Sequence, residues 1–155
     1  MLSELTHLSI EADGRYATAD ELKFLKDYLQ SLEKRLSAYQ KIQASQEKII
    51  EQVAAKMQSI NPQIFQKGKQ DVRQTCQRDR EMVLRYTATA LLTNDLERLQ
   101  TALLYWLQTI VRAFNNQESA QITYQVMSEV ICQYLTDEEV ALIAPILELN
   151  HSLGK

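Results

Sequence analysis

One cysteine and one aspartate near the middle of the chain have the types and the spacing needed to hold and attach a ligand. Cys76 and Asp79 are three residues apart, so on a helix their side chains face the same side, one turn apart. A thiol in this arrangement can attack the end of a flat, elongated ligand. The carboxylate can then accept hydrogen bonds from N–H groups nearer the ligand's middle. On residue types alone, a charged helix face that carries one thiol is the favoured interpretation, and the ligand site is the alternative.

Four arginines surround this pair in the sequence: Arg73, Arg78, Arg80 and Arg85. Guanidinium groups favour two-pronged recognition of carboxylates. Arg78 is only two residues from Cys76, so its side chain points elsewhere on a helix unless the ligand wraps around it. The arginines are suited to an acidic ligand, but composition alone leaves the segment as a charged helix face.

The remaining reactive residues are few, and their positions exclude several classes of function. His7 and His151 lie close to the two ends of the chain, which excludes a haem held by a central histidine and a histidine-based catalytic triad. Cys76 and Cys132 are too few and too far apart for a disulfide scaffold or a zinc site, which favours a reducing compartment. No acid–base pair is evident, so we predict that the chain is not an enzyme and holds no metal.

The charge pattern and the first residues limit the choice of partners. The formal net charge is −3 and the basic residues are scattered, so no footprint for nucleic acid is visible. The opening MLSELTHLSI is acidic and has no apolar signal core, and no apolar run reaches 18 residues. We therefore predict a cytoplasmic protein without a transmembrane segment.

Turn-forming residues are scarce, which predicts an all-α chain of one domain. Only three glycines and two prolines occur in 155 residues. A short amphipathic segment at 3–12 precedes a capping box at Thr18–Glu21, which opens a helical stretch that ends at Asn61-Pro62. Apolar residues at helical spacing over 22–60 predict either one helix or two. A coiled-coil dimer would use such a stripe, but an amphipathic pair of helices over a globular core is favoured.

The second half of the chain reads as four further helices after a loop at 61–71. They are predicted at about 72–92, 95–114 and 118–135, with the last one opened by a capping box at Thr136–Glu139 and ending near Asn150. Asn94 and Glu97 are predicted to restart the chain after the first of these helices. Asn115-Asn116 is predicted as a turn, and Pro145 is predicted to kink the last helix or shift its register.

The helix at 95–114 is apolar most of the way round in its second half, which predicts a position at the centre of the core. Tyr105 and Trp106 on this helix are predicted to be core residues rather than ligand contacts. Cys132 lies among apolar residues of the following helix, and a buried structural thiol is the expected role.

Two blocks of sequence resemble the phycobiliprotein family. Residues 11–22, EADGRYATADEL, are similar to the family's ADxxARYLSxxEL stretch. The segment TCQRD at 75–79, followed by LRY at 84–86 and ND at 94–95, is similar to its signature CxRD, YYLRY and AGD at the same spacing. Shorter segments at 33–36 and 47–50 resemble allophycocyanin subunits in particular. The chain is thus identified as a divergent, allophycocyanin-like member of that family.

The resemblance implies a fold and a ligand. The fold is globin-like and all-α, as one domain over 1–155, with an N-terminal helical extension at about 1–17 and a core at 18–155. The ligand is a linear tetrapyrrole (a bilin), with phycocyanobilin expected. By the match of motifs, Cys76 is the attachment residue and Asp79 binds the inner pyrrole nitrogens, while Arg78 is a candidate for a propionate. Arg80 and Arg73 are further chromophore-binding candidates.

The resemblance also implies assembly and location. Asp13 and Arg85 match positions that the family uses for salt bridges between paired subunits, and Arg15 and Tyr16 lie in the same N-terminal block. The expected partner is another phycobiliprotein-like subunit, in a homo- or hetero-oligomer, with the phycobilisome core as a further partner. Light harvesting, energy transfer or light sensing is the expected function, in the cytoplasm or at the cytoplasmic face of the thylakoid membrane.

The chain departs from the family's pattern in two places that concern the pigment. Met82 and Val83 stand where the family has paired tyrosines, and the segment 61–73 is shorter than the family's loop that closes over the pigment. Two alternatives to a covalent pigment therefore remain open. One is a pigment-free protein that binds other phycobilisome subunits, and the other is a noncovalent bilin carrier.

Overall fold

The computed structural model describes residues 1–152, and about three quarters of them lie in helices. Their bounds are α1 Leu2–Glu11, α2 Lys23–Ala44, α3 Gln46–Ile60, α4 Arg73–Thr93, α5 Leu96–Leu99, a π-helical turn Gln100–Leu104, α6 Tyr105–Ala113, α7 Gln117–Cys132 and α8 Asp137–His151. The prediction of an all-α chain is confirmed.

The long helical stretch before Asn61 consists of two helices that meet at Ser45. The φ of Ser45 is −104° and its ψ is 8°, which interrupts the helix between two glutamines, Gln43 and Gln46. Both helices bury one apolar side within the same molecule: α2 packs on α4 and α8, and α3 packs on α7 and α4. The amphipathic pair, rather than a coiled coil, is therefore the arrangement that forms.

Helix α4 lies at the centre of the bundle and contacts α2, α3 and α8. Its buried side chains are Arg80, Val83, Leu84, Thr87, Ala88, Ala90 and Leu91. The prediction that the helix at 95–114 occupies the centre is wrong. That region lies at the side of the bundle and buries a single stripe, which continues from Leu99, Leu103 and Leu104 to Leu107 and Val111.

Tyr105 and Trp106 are not core residues, contrary to prediction. Their exposed fractions are 59% and 55%. The π-helical turn Gln100–Leu104 just before them holds one residue more than an α-helical turn, which rotates the following residues about the helix axis. The buried stripe then resumes at Leu107, and the two aromatic rings face outward. Apolar residue types alone do not reveal this change of register.

The predicted loop at 61–71 contains a short hairpin of two antiparallel strands, β1 (Gln66–Lys67) and β2 (Gln70–Asp71). Gly68, in the turn between them, has a φ of +61°, a conformation that favours glycine. Phe65 at the base of the hairpin is 2% exposed, and its carbonyl accepts a hydrogen bond of 2.9 Å from the backbone N–H of Val72. Strands of two residues are too short to leave a periodic pattern in the sequence.

Capping residues set several of the helix ends. The reciprocal hydrogen bonds of Thr18 and Glu21 are present, although α2 itself begins at Lys23 after one further turn. Asn94 ends α4 in the left-handed conformation, and Asp95 rather than Asn94 caps α5, by accepting a hydrogen bond of 3.0 Å from the N–H of Arg98. The predicted restart at Asn94 is therefore wrong by one residue.

Helix α8 starts at the predicted capping box of Thr136 and Glu139 and continues without a break through Pro145. Glu139 also accepts hydrogen bonds from Lys41 at 2.7 Å and Ser37 at 2.8 Å, which ties α8 to α2. Burial would raise the pKa of the Glu139 carboxyl, but the hydrogen bonds from Lys41, the backbone of Thr136 and Ser37 lower it to about 2.

Candidate functional site

Two connected spaces lie beside the first two turns of α4. A deep cavity of about 100 Å³ lies between α4, α6 and α7, and an outer cleft of about 440 Å³ lies between the hairpin, α6 and the start of α7. Cys76 and Asp79 line both spaces, so they lie where the two meet. The outer cleft alone is within the range of roughly 300–1,000 Å³ that small-molecule sites occupy.

Cys76 is a half-buried free thiol at the end of the first turn of α4. Burial raises the pKa of this thiol, with a further increase from Asp79, while the positive charges of Arg80 and Lys67 act in the opposite direction. Because the pKa is raised, the group is a thiol rather than a thiolate at neutral pH, and its nucleophilicity is low until it is deprotonated.

Asp79 presents its carboxylate to the cleft. Its side chain makes no hydrogen bond or ion pair within the described part of the chain, residues 1–152, so both oxygens can accept hydrogen bonds from a ligand. Partial burial raises the pKa of Asp79, and the neighbouring Arg78 and Arg80 act against that increase. Cys76 and Asp79 therefore lie close together, as predicted, and the Asp79 carboxylate has no partner among residues 1–152.

Arg80 is the buried charge of the site. It is 3% exposed and lines the deep cavity, and its guanidinium carbon lies 5.1 Å from the centre of the Phe65 ring. Its Nε and Nη1 have no hydrogen-bond partner among residues 1–152. Desolvation lowers the pKa of Arg80, although arginine stays charged in proteins. The sequence indicated an arginine here but not its unpaired state.

The other two predicted arginines lie outside both spaces. Arg73 is exposed, and its guanidinium carbon lies 5.5 Å from the centre of the Phe65 ring. Arg78 is exposed and lines neither the deep cavity nor the outer cleft. Their proposed contacts with a ligand therefore require an extended ligand that leaves the cleft, and they remain predictions.

Several residues of the site were not evident from the sequence. Tyr124 of α7 lines the deep cavity and is 6% exposed, and burial, followed by the charge of Asp79, raises the pKa of its phenol well above the ordinary value. Lys67 and Phe114 line opposite sides of the outer cleft, and the Lys67 ammonium lies 5.2 Å from the centre of the Phe114 ring. A tyrosine among the apolar residues of α7 is the one feature of the sequence that could have indicated the role of Tyr124.

The two departures from the family's pattern have structural counterparts. Val83 is buried and lines the deep cavity, so an aliphatic side chain stands where an aromatic contact was expected. The short segment 61–73 still forms a wall, because Ile64, Gln66 and Val72 line the outer cleft.

Cys132 packs half-buried against the core, and burial raises the pKa of its thiol.

The predicted interface residues lie at the surface. Tyr16 is 98% exposed and Asp13 is exposed. Arg15 forms a two-pronged ion pair with Glu21, at 2.7 and 2.9 Å, so its guanidinium already has a partner within the chain. Arg85 is exposed and lies 4.0 Å from Glu81.

A model of the phycobilisome protein family matches residues 8–152. The chain belongs to the phycobilisome protein family. Among curated relatives, it is 26% identical to "Allophycocyanin subunit beta-18" of Aglaothamnion neglectum over 84% of the chain and 79% of that protein. It is 30% identical to "Allophycocyanin alpha-B chain" of Cyanophora paradoxa over 61% of the chain and 62% of that protein.

Membership of this family confirms several predictions. The helical structure agrees with the globin-like phycobiliprotein fold, and the chain is a phycobilisome-type subunit. Proteins of the family are pigment-carrying and structural, so the prediction that the chain is not an enzyme is confirmed. The family implies a bilin chromophore, and the allophycocyanin relatives suggest assembly with other subunits. No helix within residues 1–152 is long and apolar enough to cross a membrane.

Proposed function

We propose that this phycobilisome-type subunit carries a linear tetrapyrrole on Cys76, for light harvesting with energy transfer or for light sensing. The observation that carries the proposal is the position of Cys76 and the unpaired Asp79 where the deep cavity meets the outer cleft. A flat ligand in the cleft would have its end at the thiol and its N–H groups at the carboxylate. A bound bilin would supply absorption of visible light.

Each residue of the proposed site has one task. Cys76 is the attachment residue, as a thioether formed by addition of S–H across a carbon–carbon double bond, which transfers the thiol proton to carbon and needs no oxidant. Asp79 accepts hydrogen bonds from the pyrrole N–H groups and holds the pigment against the cleft. Arg78 and Arg73 are proposed to contact acidic groups that leave the cleft. Phycocyanobilin is the proposed pigment.

Expression of the full chain together with phycocyanobilin synthesis tests the attachment. The wild type and the matched control Cys132→Ala are expected to fluoresce with zinc on a denaturing gel, because the bond to Cys76 survives denaturation. Cys76→Ala is expected to lose that signal. Absence of covalent pigment on the wild type, or pigment retained by Cys76→Ala, would contradict the proposal.

We also propose that the chain assembles with a second phycobiliprotein-like subunit through its N-terminal face, in the cytoplasm or at the cytoplasmic side of the thylakoid membrane. Apolar side chains of α1, of α2 and of Leu22 just before α2 are exposed at the surface: Ile10, Leu22, Leu29 and Leu36 are 69%, 40%, 59% and 44% exposed. Asp13, Arg15, Tyr16 and Arg85 are the proposed polar part of this face.

Sedimentation velocity with allophycocyanin subunits tests the assembly. Leu29→Glu is expected to abolish co-sedimentation, because it places a charge in the proposed apolar contact. Ile60→Glu is the matched control, since Ile60 is equally exposed at 59% but lies at the end of α3. A wild type that stays monomeric in this mixture would contradict the proposed partner.

A pigment-free or noncovalent function is the second candidate, and two observations favour it. The raised pKa of Cys76 opposes attack by the sulfur at neutral pH, and the cavity wall at Val83 is aliphatic. The intact mass of the protein purified from pigment-producing cells separates the candidates. A mass increase by one bilin supports the covalent state, colour without a mass increase supports a carrier, and an uncoloured protein that still binds subunits supports the interaction function.

A further inference from the structure

Unpaired polar atoms in the interior concentrate at one residue. Among residues 1–152, three buried side-chain nitrogen or oxygen atoms have no hydrogen-bond partner, and two of them, Nε and Nη1, belong to Arg80. The third is Oδ1 of Asn150, whose amide nitrogen donates to Thr87. Buried polar atoms are nearly always paired in folded proteins, and an unpaired charged group is more costly than a neutral one.

A second buried arginine shows how this fold satisfies a guanidinium that has a structural role. Arg35 is 6% exposed, yet it donates 2.9 Å to the hydroxyl of Ser31 and 2.8 Å to the carbonyl of Leu91. Arg80 is more deeply buried, and its Nε and Nη1 have no such acceptors among residues 1–152. The Phe65 ring lies against its guanidinium, and the charge of Asp79 acts on it without a hydrogen bond. The contrast indicates that the acceptors for Arg80 come from outside the chain.

The deep cavity has the size and lining for a small acidic group. Its volume of about 100 Å³ is several times the roughly 30 Å³ share of one water molecule, and far below that of a whole tetrapyrrole. Tyr124 lines it, and its hydroxyl makes no hydrogen bond within residues 1–152. Thr123, which also lines the cavity, already donates to the carbonyl of Ser119 at 2.7 Å. Arg80 and Tyr124 are the remaining donors that line this cavity alone, whereas the polar side chains of Asn116 and Ser119 line the outer cleft as well.

We propose that Arg80, together with the Tyr124 hydroxyl, binds a carboxylate arm of the ligand whose body occupies the outer cleft. A carboxylate, rather than a neutral carbonyl, compensates the buried positive charge and accepts from several donors at once. This inference rests on the proposed function, because it takes a tetrapyrrole with acidic arms as the ligand. It assigns to Arg80 the selection of acidic over esterified pigments.

Binding of biliverdin and of biliverdin dimethyl ester to the full-length protein tests the inference. The free acid is expected to bind about 10-fold more tightly than the ester, or more, since hydrogen bonds to charged groups are strong. Arg80→Met is expected to reduce this preference to about 2-fold, the remainder that the exposed Arg73 and Arg78 can supply, and Tyr124→Phe is expected to reduce it partly. Arg112→Gln, at an exposed arginine of α6 outside both spaces, is the matched control.

Two results would overturn the inference while the proposed function stands. One is a wild type that binds both pigments equally, which indicates that the cavity holds water only. The other is an Arg80→Met variant that prefers the free acid as strongly as the wild type does. Circular dichroism of Arg80→Met establishes that it folds. If the wild type binds neither pigment, the proposed function fails instead, and the cavity is tested with sodium propionate against sodium chloride at equal ionic strength. Propionate is then expected to raise the thermal midpoint of the wild type and Arg112→Gln but not of Arg80→Met. Equal midpoints would reject the carboxylate site.

Discussion

Ser3 presents both its backbone N–H and its hydroxyl to Asp95, which lies 92 residues later in the chain. The two hydrogen bonds are 2.8 Å long and end on different oxygens of the same carboxylate. Asp95 is 2% exposed and also accepts from the N–H of Arg98. One buried carboxylate therefore caps both α1 and α5, and it fixes an N-terminal helix that has no buried residue of its own.

Replacement of Asp95 by Ala is expected to release α1 and to lower the free energy of unfolding by about 2–3 kcal/mol, because two helix ends lose their cap and buried N–H groups lose an acceptor. Urea unfolding measures the loss, and hydrogen exchange is expected to accelerate in Leu2–Glu11. Asp27→Ala, at an exposed position of α2, is the control and is expected to change stability by less than about 0.5 kcal/mol. Unchanged exchange in α1 would refute this role of Asp95.

Acid is expected to weaken the contact between α8 and α2. The pKa of Glu139 is about 2 in the folded protein, below its ordinary value near 4.5, so its ionised form is the one that the fold stabilises. This contribution is complete above about pH 5 and is lost as the pH falls towards 2. In Glu139→Gln, the decline of stability over that range is expected to be shallower than in the wild type.

The neighbour Glu138 provides the comparison for that measurement. Its ion pair with Lys34 is 2.8 Å long but 70% of the Glu138 side chain is exposed. Glu138→Gln is expected to keep the acid dependence of the wild type, because exposed ion pairs contribute little to stability. Thermal midpoints between pH 2 and pH 6 measure all three proteins, and parallel curves for the wild type and Glu139→Gln would count against the assignment.

Arg80→Met is expected to raise the free energy of unfolding of the pigment-free protein by about 1–2 kcal/mol. The substitution replaces a buried, unpaired cation by an apolar chain of similar length beside Phe65, and such replacements are neutral or stabilising. Removal of an arginine that stabilises the fold would instead lower the free energy of unfolding. This is expected for Arg35→Met, because the carbonyl of Leu91 loses its hydrogen-bond donor. Urea unfolding of both variants decides between these roles.

Alkylation of Cys76 is expected to be slower at neutral pH than that of an exposed cysteine, and to accelerate at alkaline pH, because burial raises the pKa of the thiol. The measurement uses iodoacetamide and mass spectrometry on Cys132→Ser, which leaves Cys76 as the single thiol. Addition of Arg80→Met is expected to slow the reaction further at neutral pH, since the charge of Arg80 favours the thiolate. A neutral-pH rate equal to that of an exposed cysteine would contradict the buried position.

Trp106 is the single tryptophan of the chain and is 55% exposed, so its emission is expected to lie in the range of hydrated indole and to be quenched readily by acrylamide. Trp106→Phe is expected to change the free energy of unfolding by less than about 0.5 kcal/mol, as is usual at exposed positions. A blue-shifted, unquenched emission would instead favour the core position that the apolar sequence predicted.

The sequence predicted best where one local interaction decides the structure. The Thr136–Glu139 capping box marks the start of α8, and the spacing of Cys76 and Asp79 places both at the junction of the two spaces, because both features depend on neighbours within one helical turn. The predictions that were wrong concern features that depend on the packing of distant segments. Trp106 faces outward because a π-helical turn changes the helical register before it, and no residue type in the sequence predicts that turn.

The site was predicted in part for the same reason. The sequence shows an arginine at position 80. Its lack of hydrogen-bond acceptors depends on the side chains that α6, α7 and Phe65 bring close to it in the folded protein. Tyr124 comes from a helix more than 40 residues away, and its contact with the cavity depends on the packing of α7 against α3. Such properties belong to the assembled bundle and have no local signature.

The buried ring of Phe65 has a consequence for the energetics of binding. The hairpin that walls the outer cleft is closed at its base, where the Phe65 carbonyl accepts from Val72, and it is anchored by a ring that is itself part of the core. The cleft is thus shaped by folding and exists before a ligand arrives. These contacts within the chain anchor the wall, so they reduce the entropy that immobilising it would subtract from the affinity for a ligand.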